Sequence, residues 1–139
     1  MNDIKQREES ILAEFEMFDD WMEKYEYIID LGKELPLLSD DDKTNERLIE
    51  GCQSRVWLNT KCTDNVIEFT ADADAIITKG IIALLINLVN KLKPQDLVAY
   101  DFGIIKEIGL QEHLSPTRSN GLNGMILRLK NEALKHCIS

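Results

Sequence analysis

The sequence predicts a single α+β domain made of an N-terminal helical pair, a small three-stranded antiparallel sheet and several covering helices. Apolar residues recur at helical spacing before residue 36 and again after residue 72, whereas short stretches of β-type residues lie between residues 46 and 72. The chain of 139 residues is long enough to bury one core without disulfides or a metal. We therefore expect one domain spanning residues 1–139.

The first two helices are predicted from apolar stripes and capping residues. The first should cover residues 4–18, with Asp3 as its N-cap. The second should begin after Asp20, because Glu23 completes a capping box, and should end before Pro36. Its inner face would carry Trp21, Tyr25, Ile28, Leu31 and Leu35. Both stripes predict an antiparallel helical pair.

The next segments predict a loop followed by a sheet. Residues 36–45 include consecutive aspartates that lack the alternating spacing and turn glycine of a calcium loop, so we expect an exposed acidic loop. Three strands are then predicted over residues 47–49, 55–60 and 66–70. Residues 61–65 would form the hairpin loop between the last two strands.

A long helix is predicted from Asp72 or Ala73 to Leu92. Its residues are apolar nearly all round, which is typical of a buried central helix. Within it, Gly80 would let another backbone approach closely.

Three more helices follow in the prediction. Short helices should cover residues 95–100 and 104–108, the first of them preceded by a proline that fits a first turn. The last helix should start with Ser115 as cap and Pro116 in its first turn, and Cys137 falls on its apolar stripe.

Charge and hydropathy limit the possible partners. The net charge of −9 argues against nucleic acid, since phosphate contacts need clustered lysine and arginine. Residues 1–50 hold 16 acidic and 6 basic residues, which either keep the surface solvated or steer a basic partner toward it. The apolar run Ile81–Val89 is too short for a bilayer, and the first ten residues do not resemble a signal peptide. We therefore expect a cytoplasmic protein that binds no membrane.

Three cysteines carry the candidate chemistry. Cys52, Cys62 and Cys137 form no CxxC pair, and with only two histidines they do not predict a zinc site or a disulfide framework. Cys137 is predicted to be a core residue, and Cys62 an exposed residue of the hairpin loop. The inventory suits a reducing compartment.

Cys52 differs from the other two because it follows Gly51 and precedes the polar residues Gln53, Ser54 and Arg55. A glycine permits a bend that would present the sulfur, and a nucleophilic thiol needs such access. The same residues also fit a half-buried structural cysteine at the start of a strand. The local pattern leaves both interpretations open.

Four segments, taken in chain order, resemble the SufE family of sulfur-acceptor proteins. They are WMEKYEYIIDLGKELP at residues 21–36, GCQSRVW at 51–57, DADAIITKG at 72–80 and GLQEHLSPTRSNGL at 109–122. The resemblance implies a SufE-like fold, which iron–sulfur scaffolds share, and a persulfide formed on Cys52. It further implies a SufS-like pyridoxal-phosphate cysteine desulfurase that is stimulated and gives up the sulfur, and a SufBCD-like scaffold complex that receives it. The pyridoxal phosphate would belong to the partner, so we expect no resident cofactor or metal.

The resemblance also suggests supporting residues. Gly51 and Gln53 flank the cysteine, and Arg118 could stabilise its thiolate or persulfide, although Arg118 could equally brace the acidic loop. His113 could assist proton transfer or be a structural residue, and Asp74 could influence partner docking or simply favour a helix start. We expect a monomer or weak homodimer.

Two other functions remain open on the sequence. An iron–sulfur scaffold would have to converge several ligands on iron, for which Cys62 and Cys137 are poorly placed. A small cysteine hydrolase would need His113 as the base beside Cys52.

Overall fold

The computed structural model describes residues 2–35, 38–49 and 54–137 and shows an α+β fold. Short 3₁₀ turns cover Asp40–Asp42, Asn45–Arg47 and Gln111–His113. The two strands are β1 (Val56–Thr63) and β2 (Val66–Ala73). The helices are α1 (Asn2–Glu16), α2 (Trp21–Lys33), α3 (Ile76–Val89), α4 (Pro94–Ala99), α5 (Ile104–Ile108) and α6 (Pro116–Cys137).

Both N-terminal helices form close to the predicted limits, but α2 packs mainly on α3, and α1 packs on α3 and α5, instead of the two forming one tight pair. The Asp20 carboxylate accepts a hydrogen bond of 2.9 Å from the Glu23 N–H, which confirms the predicted cap of α2. α1 begins at Asn2, so Asp3 lies inside the helix and the prediction that it is the N-cap is wrong. Pro36 lies outside the described residues.

The sheet is an antiparallel hairpin in which Val56 pairs with Ala73 and Thr63 with Val66. Asp64 and Asn65 both have positive φ angles, of 54° and 62°, as a two-residue type I′ turn requires. The predicted loop over residues 61–65 is therefore too long. Because of this, Cys62 lies in β1 and not in the loop.

The predicted third strand is wrong for the part of the chain that the structure describes. Residues 45–47 form a 3₁₀ turn, in which the N–H groups of Arg47 and Leu48 bond to the carbonyls of Thr44 and Asn45. These donors are no longer free to pair along a strand. Leu48 forms only an isolated antiparallel bridge with Trp57.

The central helix α3 is buried along most of its length, as predicted. It begins at Ile76 and not at residue 72 or 73, because Asp72 and Ala73 extend β2 and pair with β1. A Cβ atom added at Gly80 would lie 2.2 Å from the Ile28 carbonyl oxygen. This confirms that Gly80 allows a close backbone approach, here by α2.

The core lies where α3 meets the hairpin, α2 and α6. α6 packs on α4 and α3, and its predicted stripe is confirmed by Leu122, Met125, Leu129 and Ala133, all of which are buried. Across the described ranges, no helix combines the length and hydropathy that a membrane span needs. The fold therefore brings the hairpin, α2, α3 and α6 together around one core.

Candidate functional site

The central residues of the predicted site, Gly51, Cys52 and Gln53, lie outside the described residues. The structure instead defines the points between which this segment runs. We call residues 46–49 the upstream anchor and residues 54–55 the downstream anchor. Chain length alone keeps the Cα of Cys52 within about 10 Å of Ile49 and about 7 Å of Ser54. The two anchors therefore delimit the region that the Cys52 thiol can reach.

The downstream anchor is fixed to the start of α3. The Ser54 hydroxyl donates a hydrogen bond of 2.9 Å to Oγ1 of Thr78, a residue that is only 7% exposed. The Arg55 N–H donates to Asp74 Oδ1 at 2.9 Å, and the Asp74 N–H donates to the Arg55 carbonyl at 3.1 Å. These three bonds hold the chain that leaves the Cys52 segment.

Asp74 has a different position from the one predicted. It lies two residues before α3, and Ala75 is the N-cap, which has no side chain able to accept a capping bond. The exposed Asp74 carboxylate accepts from the Arg55 N–H instead of capping the helix. Within the described ranges no side chain caps the first turn of α3, and N–H groups at a helix start carry a partial positive charge.

The upstream anchor is fixed to β1 and α6. The buried Ile49 donates its N–H to the Val56 carbonyl at 2.8 Å. From α6, Arg128 donates to the Leu48 carbonyl at 2.8 Å through Nη1 and to the Glu46 carbonyl at 2.7 Å through Nη2. The residues on both sides of the Cys52 segment are therefore held by hydrogen bonds.

Arg128 is itself oriented by a carboxylate. Its Nε lies 3.1 Å from Glu132 Oε2, and Lys135 Nζ lies 3.2 Å from the same oxygen. Burial alone would raise the pKa of Glu132, but its bonds to Lys135 and Arg128 outweigh burial and hold the pKa below its ordinary value. Glu132 is therefore ionised when the protein is near neutral pH.

A second ionic cluster fastens the acidic segment to the sheet. Asp72 is only 6% exposed, and its carboxylate oxygens lie 3.3 Å from Lys43 Nζ and 3.2 Å from Lys79 Nζ. Burial would raise the pKa of Asp72, but the Ala73 N–H and the two lysines lower it below its ordinary value. Asp72 thus connects the segment before the upstream anchor to β2 and α3.

His113 lies against α2. Its ring stacks on the Trp21 ring with the centroids 3.9 Å apart, and its carbonyl accepts a hydrogen bond from the Tyr25 hydroxyl. Among the residues described, no carboxylate hydrogen bonds to the imidazole. This arrangement favours the structural interpretation of His113 over the role of an oriented base.

Arg118 lies in the first turn of α6, and its N–H bonds to Ser115 Oγ at 3.2 Å, which confirms the predicted cap. Its side chain is exposed and makes no hydrogen bond or ion pair with any residue in the described ranges. No brace between Arg118 and the described part of the acidic loop is present. Its predicted approach to Cys52 involves a residue outside those ranges and stays a prediction.

The other two cysteines occupy separate places. Cys62 is a partly exposed residue of β1 opposite Ile67, and the side chain of Cys137 lies outside the described part of the chain. In residues 2–35, 38–49 and 54–137, no cluster of three or more histidine, cysteine, aspartate or glutamate side chains could hold a metal ion.

Comparison with known proteins decides the family. The family model of SufE, described as an Fe-S metabolism associated domain, matches residues 9–133. This chain belongs to the SufE family. The match includes both anchors, the start of α3 and most of α6, so the SufE resemblance of the sequence is confirmed.

A solved structure shares the fold of this chain. The solution structure of a hypothetical protein from Thermus thermophilus superposes with a TM-score of 0.78 at 17% sequence identity. The alignment covers 96% of this chain and 97% of that protein. At this identity, the similarity establishes the fold alone.

The sequence did not single out the contacts that fix the two anchors. In the sequence, Ser54 and Arg55 appear only as polar neighbours of Cys52, and no local pattern connects Arg128 with residues 46–49. The one signal for Arg128 was its spacing of four residues from Glu132, which is typical of an ion pair on one helix face.

Proposed function

We propose that this SufE-family protein accepts sulfur as a persulfide on Cys52. The donor would be a pyridoxal-phosphate cysteine desulfurase, which the protein also stimulates, and the receiver an iron–sulfur cluster assembly scaffold. The family assignment associates the domain with Fe-S metabolism. The observation that supports the finer proposal is that the residues on both sides of the Cys52 segment are hydrogen bonded to the core, Ile49 to β1 and Ser54 to α3.

The proposed transfer is a thiol–persulfide exchange. The Cys52 thiolate attacks the terminal sulfur of the desulfurase persulfide, so one sulfur–sulfur bond forms as the donor's sulfur–sulfur bond breaks. The donor cysteine leaves as a thiolate, and no external oxidant or reductant is needed. A second exchange of the same kind would pass the sulfur to a thiol of the receiver.

The surroundings of the anchors fit an anionic sulfur. The uncapped first turn of α3 carries a partial positive charge, and Ser54 connects the Cys52 segment to Thr78 in that turn. A thiolate attacks far faster than a thiol, so a nearby positive potential favours the reaction. Arg118 as a further counter-ion stays part of the proposal.

Anchoring also serves a carrier. A bound sulfur is lost when a stray thiol attacks it, so the cysteine should be accessible to its partners and otherwise restricted. The hydrogen bonds of Ile49 and Ser54 serve this restriction, because they fix where the chain enters and leaves the neighbourhood of Cys52. We propose that docking of a partner shifts this segment outward in the cytoplasm, with the protein acting as a monomer or weak homodimer.

The test is to mix the purified protein with a cysteine desulfurase and cysteine and to weigh the intact protein. The wild type should gain one sulfur atom, and Cys52→Ser should gain none. Cys62→Ser is the matched control and should load as the wild type does, because Cys62 lies in β1. Loading that persists in Cys52→Ser, or a wild type that stays unmodified, would refute the proposal.

The described residues give no support to the two alternatives. A cysteine hydrolase needs an oriented base, and the His113 ring stacks on Trp21 without a carboxylate partner in the described chain. Anaerobic reconstitution with iron and sulfide addresses the scaffold alternative, for which a stable coloured cluster would be the positive result.

A further inference from the structure

We propose that Arg128 is a positioning residue for Cys52, and that it acts by holding the upstream anchor onto α6. This inference rests on the proposed function, because it concerns how Cys52 is presented to a sulfur donor. Arg128 lies 76 positions after Cys52 in the sequence. Its role would therefore come entirely from the fold.

The Arg128 guanidinium bridges two backbone carbonyls, a contact that we call the Arg128 fork. Nη1 and Nη2 bond to Leu48 and Glu46 at 2.8 and 2.7 Å, and Nε bonds to Glu132 at 3.1 Å. A planar guanidinium can satisfy these three acceptors at once, whereas the ammonium group of a lysine is a single point of charge. The chain is thus held at Leu48 and Glu46, which lie four and six positions before Cys52 in the sequence.

The Arg128–Glu132 pair is partly sheltered from water. The side chains of Arg128 and Glu132 are 22% and 12% exposed, so solvent competes weakly for the bond between them, whereas the bond from Nη2 to the Glu46 carbonyl is exposed. Glu132 fixes the orientation of the guanidinium, and Lys135 partly balances the charge of Glu132. The fork is therefore preorganised for the two carbonyls.

The two anchors are attached to different helices. Ser54 is bonded to α3, Arg128 belongs to α6, and α3 and α6 pack on each other in the core. The separation of the anchors is thus set by the hydrogen bond between Ile49 and Val56 together with the packing of α3 on α6. Loss of the Arg128 fork would leave Ile49 and the Leu48 bridge to β1 as the remaining attachments of the upstream end.

The experiment uses the full chain with Arg128→Gln, Arg128→Lys and the matched control Lys135→Gln. Lys135→Gln removes the second partner of Glu132 and leaves the bonds to the carbonyls in place, and its side chain is 69% exposed. Two rates are measured: alkylation of Cys52 by iodoacetamide, mapped by peptide mass, and single-turnover sulfur transfer from a desulfurase persulfide. Alkylation of Cys62 in the same samples reports general loosening.

Arg128→Gln should raise the Cys52 alkylation rate about threefold or more, because the upstream anchor loses its two bonds to α6 and is held less firmly. It should lower the transfer rate on the order of tenfold, since a reacting group that is poorly placed reacts slowly. Arg128→Lys should fall between Arg128→Gln and the wild type in both rates. Lys135→Gln should stay within about twofold of the wild type.

Several results would overturn the inference. Unchanged Cys52 alkylation in a folded Arg128→Gln would do so, and so would equal acceleration at Cys52 and Cys62, which would indicate global loosening. If Arg128→Gln does not fold, Arg128→Lys decides on the same two rates. If the wild type accepts no sulfur but Arg128→Gln still alkylates faster at Cys52 than the wild type, the proposed function is refuted and the role of Arg128 in holding the upstream anchor stands.

Discussion

Replacing Gly80 by alanine should separate α2 from α3 and destabilise the protein. The new Cβ would lie 2.2 Å from the Ile28 carbonyl oxygen and 2.7 Å from its carbon, whereas real Cβ contacts stay beyond 3.0 Å. Both obstacles are backbone atoms, so no side chain can rotate out of the way. The helices must move apart by about 1 Å, which disturbs a close-packed core around the fully buried Ile28.

The size of the effect follows from two opposing terms. Overpacking against backbone should cost about 3 kcal/mol, at the upper end of its usual range. Alanine is a better helix former than glycine and returns about 1 kcal/mol. The free energy of unfolding should therefore fall by about 2 kcal/mol, which for a chain of this length lowers the melting temperature by about 7 °C.

The assay is urea and thermal unfolding followed by far-ultraviolet circular dichroism. Gly32→Ala should cost less than Gly80→Ala, because its Cβ would lie 2.8 Å from the nearest backbone atom, the Gly80 nitrogen. Gly103→Ala is the control, since its Cβ would meet only the movable Asp101 carboxylate, at 3.2 Å, and should change stability by less than about 0.5 kcal/mol. A Gly80→Ala variant as stable as the wild type would refute the close backbone contact.

Two further predictions concern the ionic cluster and the core. Asp72→Asn leaves Lys43 and Lys79 without their carboxylate and should lower the free energy of unfolding by about 2 kcal/mol at pH 7. The loss is no larger because both lysines are partly hydrated. The folded pKa of Asp72 is lowered, so its stabilisation is present above its unfolded pKa of about 4 and is lost as the pH falls through the folded pKa. The difference from the wild type should therefore shrink below about pH 4 in urea titrations; a constant difference, or an equal loss in the exposed Asp41→Asn, would contradict this. Leu85→Ala, at a fully buried position of α3, should cost about 3 kcal/mol by urea unfolding, whereas Leu127→Ala, 61% exposed, should cost less than about 0.5 kcal/mol, and similar losses at both would be the contrary result.

Elements that depend on nearby residues could be predicted from the sequence. The Asp20 and Ser115 caps each involve a backbone N–H three residues ahead, so the signal lies within one helical turn. The apolar periodicity of α3 and α6 placed their buried faces correctly. Such features are set by short-range hydrogen bonds and by a repeat that is visible in the residues themselves.

Strand limits were less predictable, because strands are defined by their partners. Residues 47–49 have β-type character, but the N–H groups of Arg47 and Leu48 close a 3₁₀ turn, so only the bridge at Leu48 and the bond from the Ile49 N–H to Val56 remain. Asp72 and Ala73 suit a helix start, yet they pair with β1 and delay α3 to Ile76. In each case, the competing hydrogen-bond partner is chosen by the tertiary fold.

The sequence by itself determined the SufE family and, through that resemblance, directed attention to Cys52. Only the tertiary structure decided what holds the segment around it: Thr78 and Asp74 on the α3 side and Arg128 on the α6 side. Arg128 and Leu48 lie 80 positions apart, and no local pattern connects residues so distant. Their contact exists because burial of the apolar faces of α3 and α6 brings the two helices together, which places a polar fork beside two backbone carbonyls.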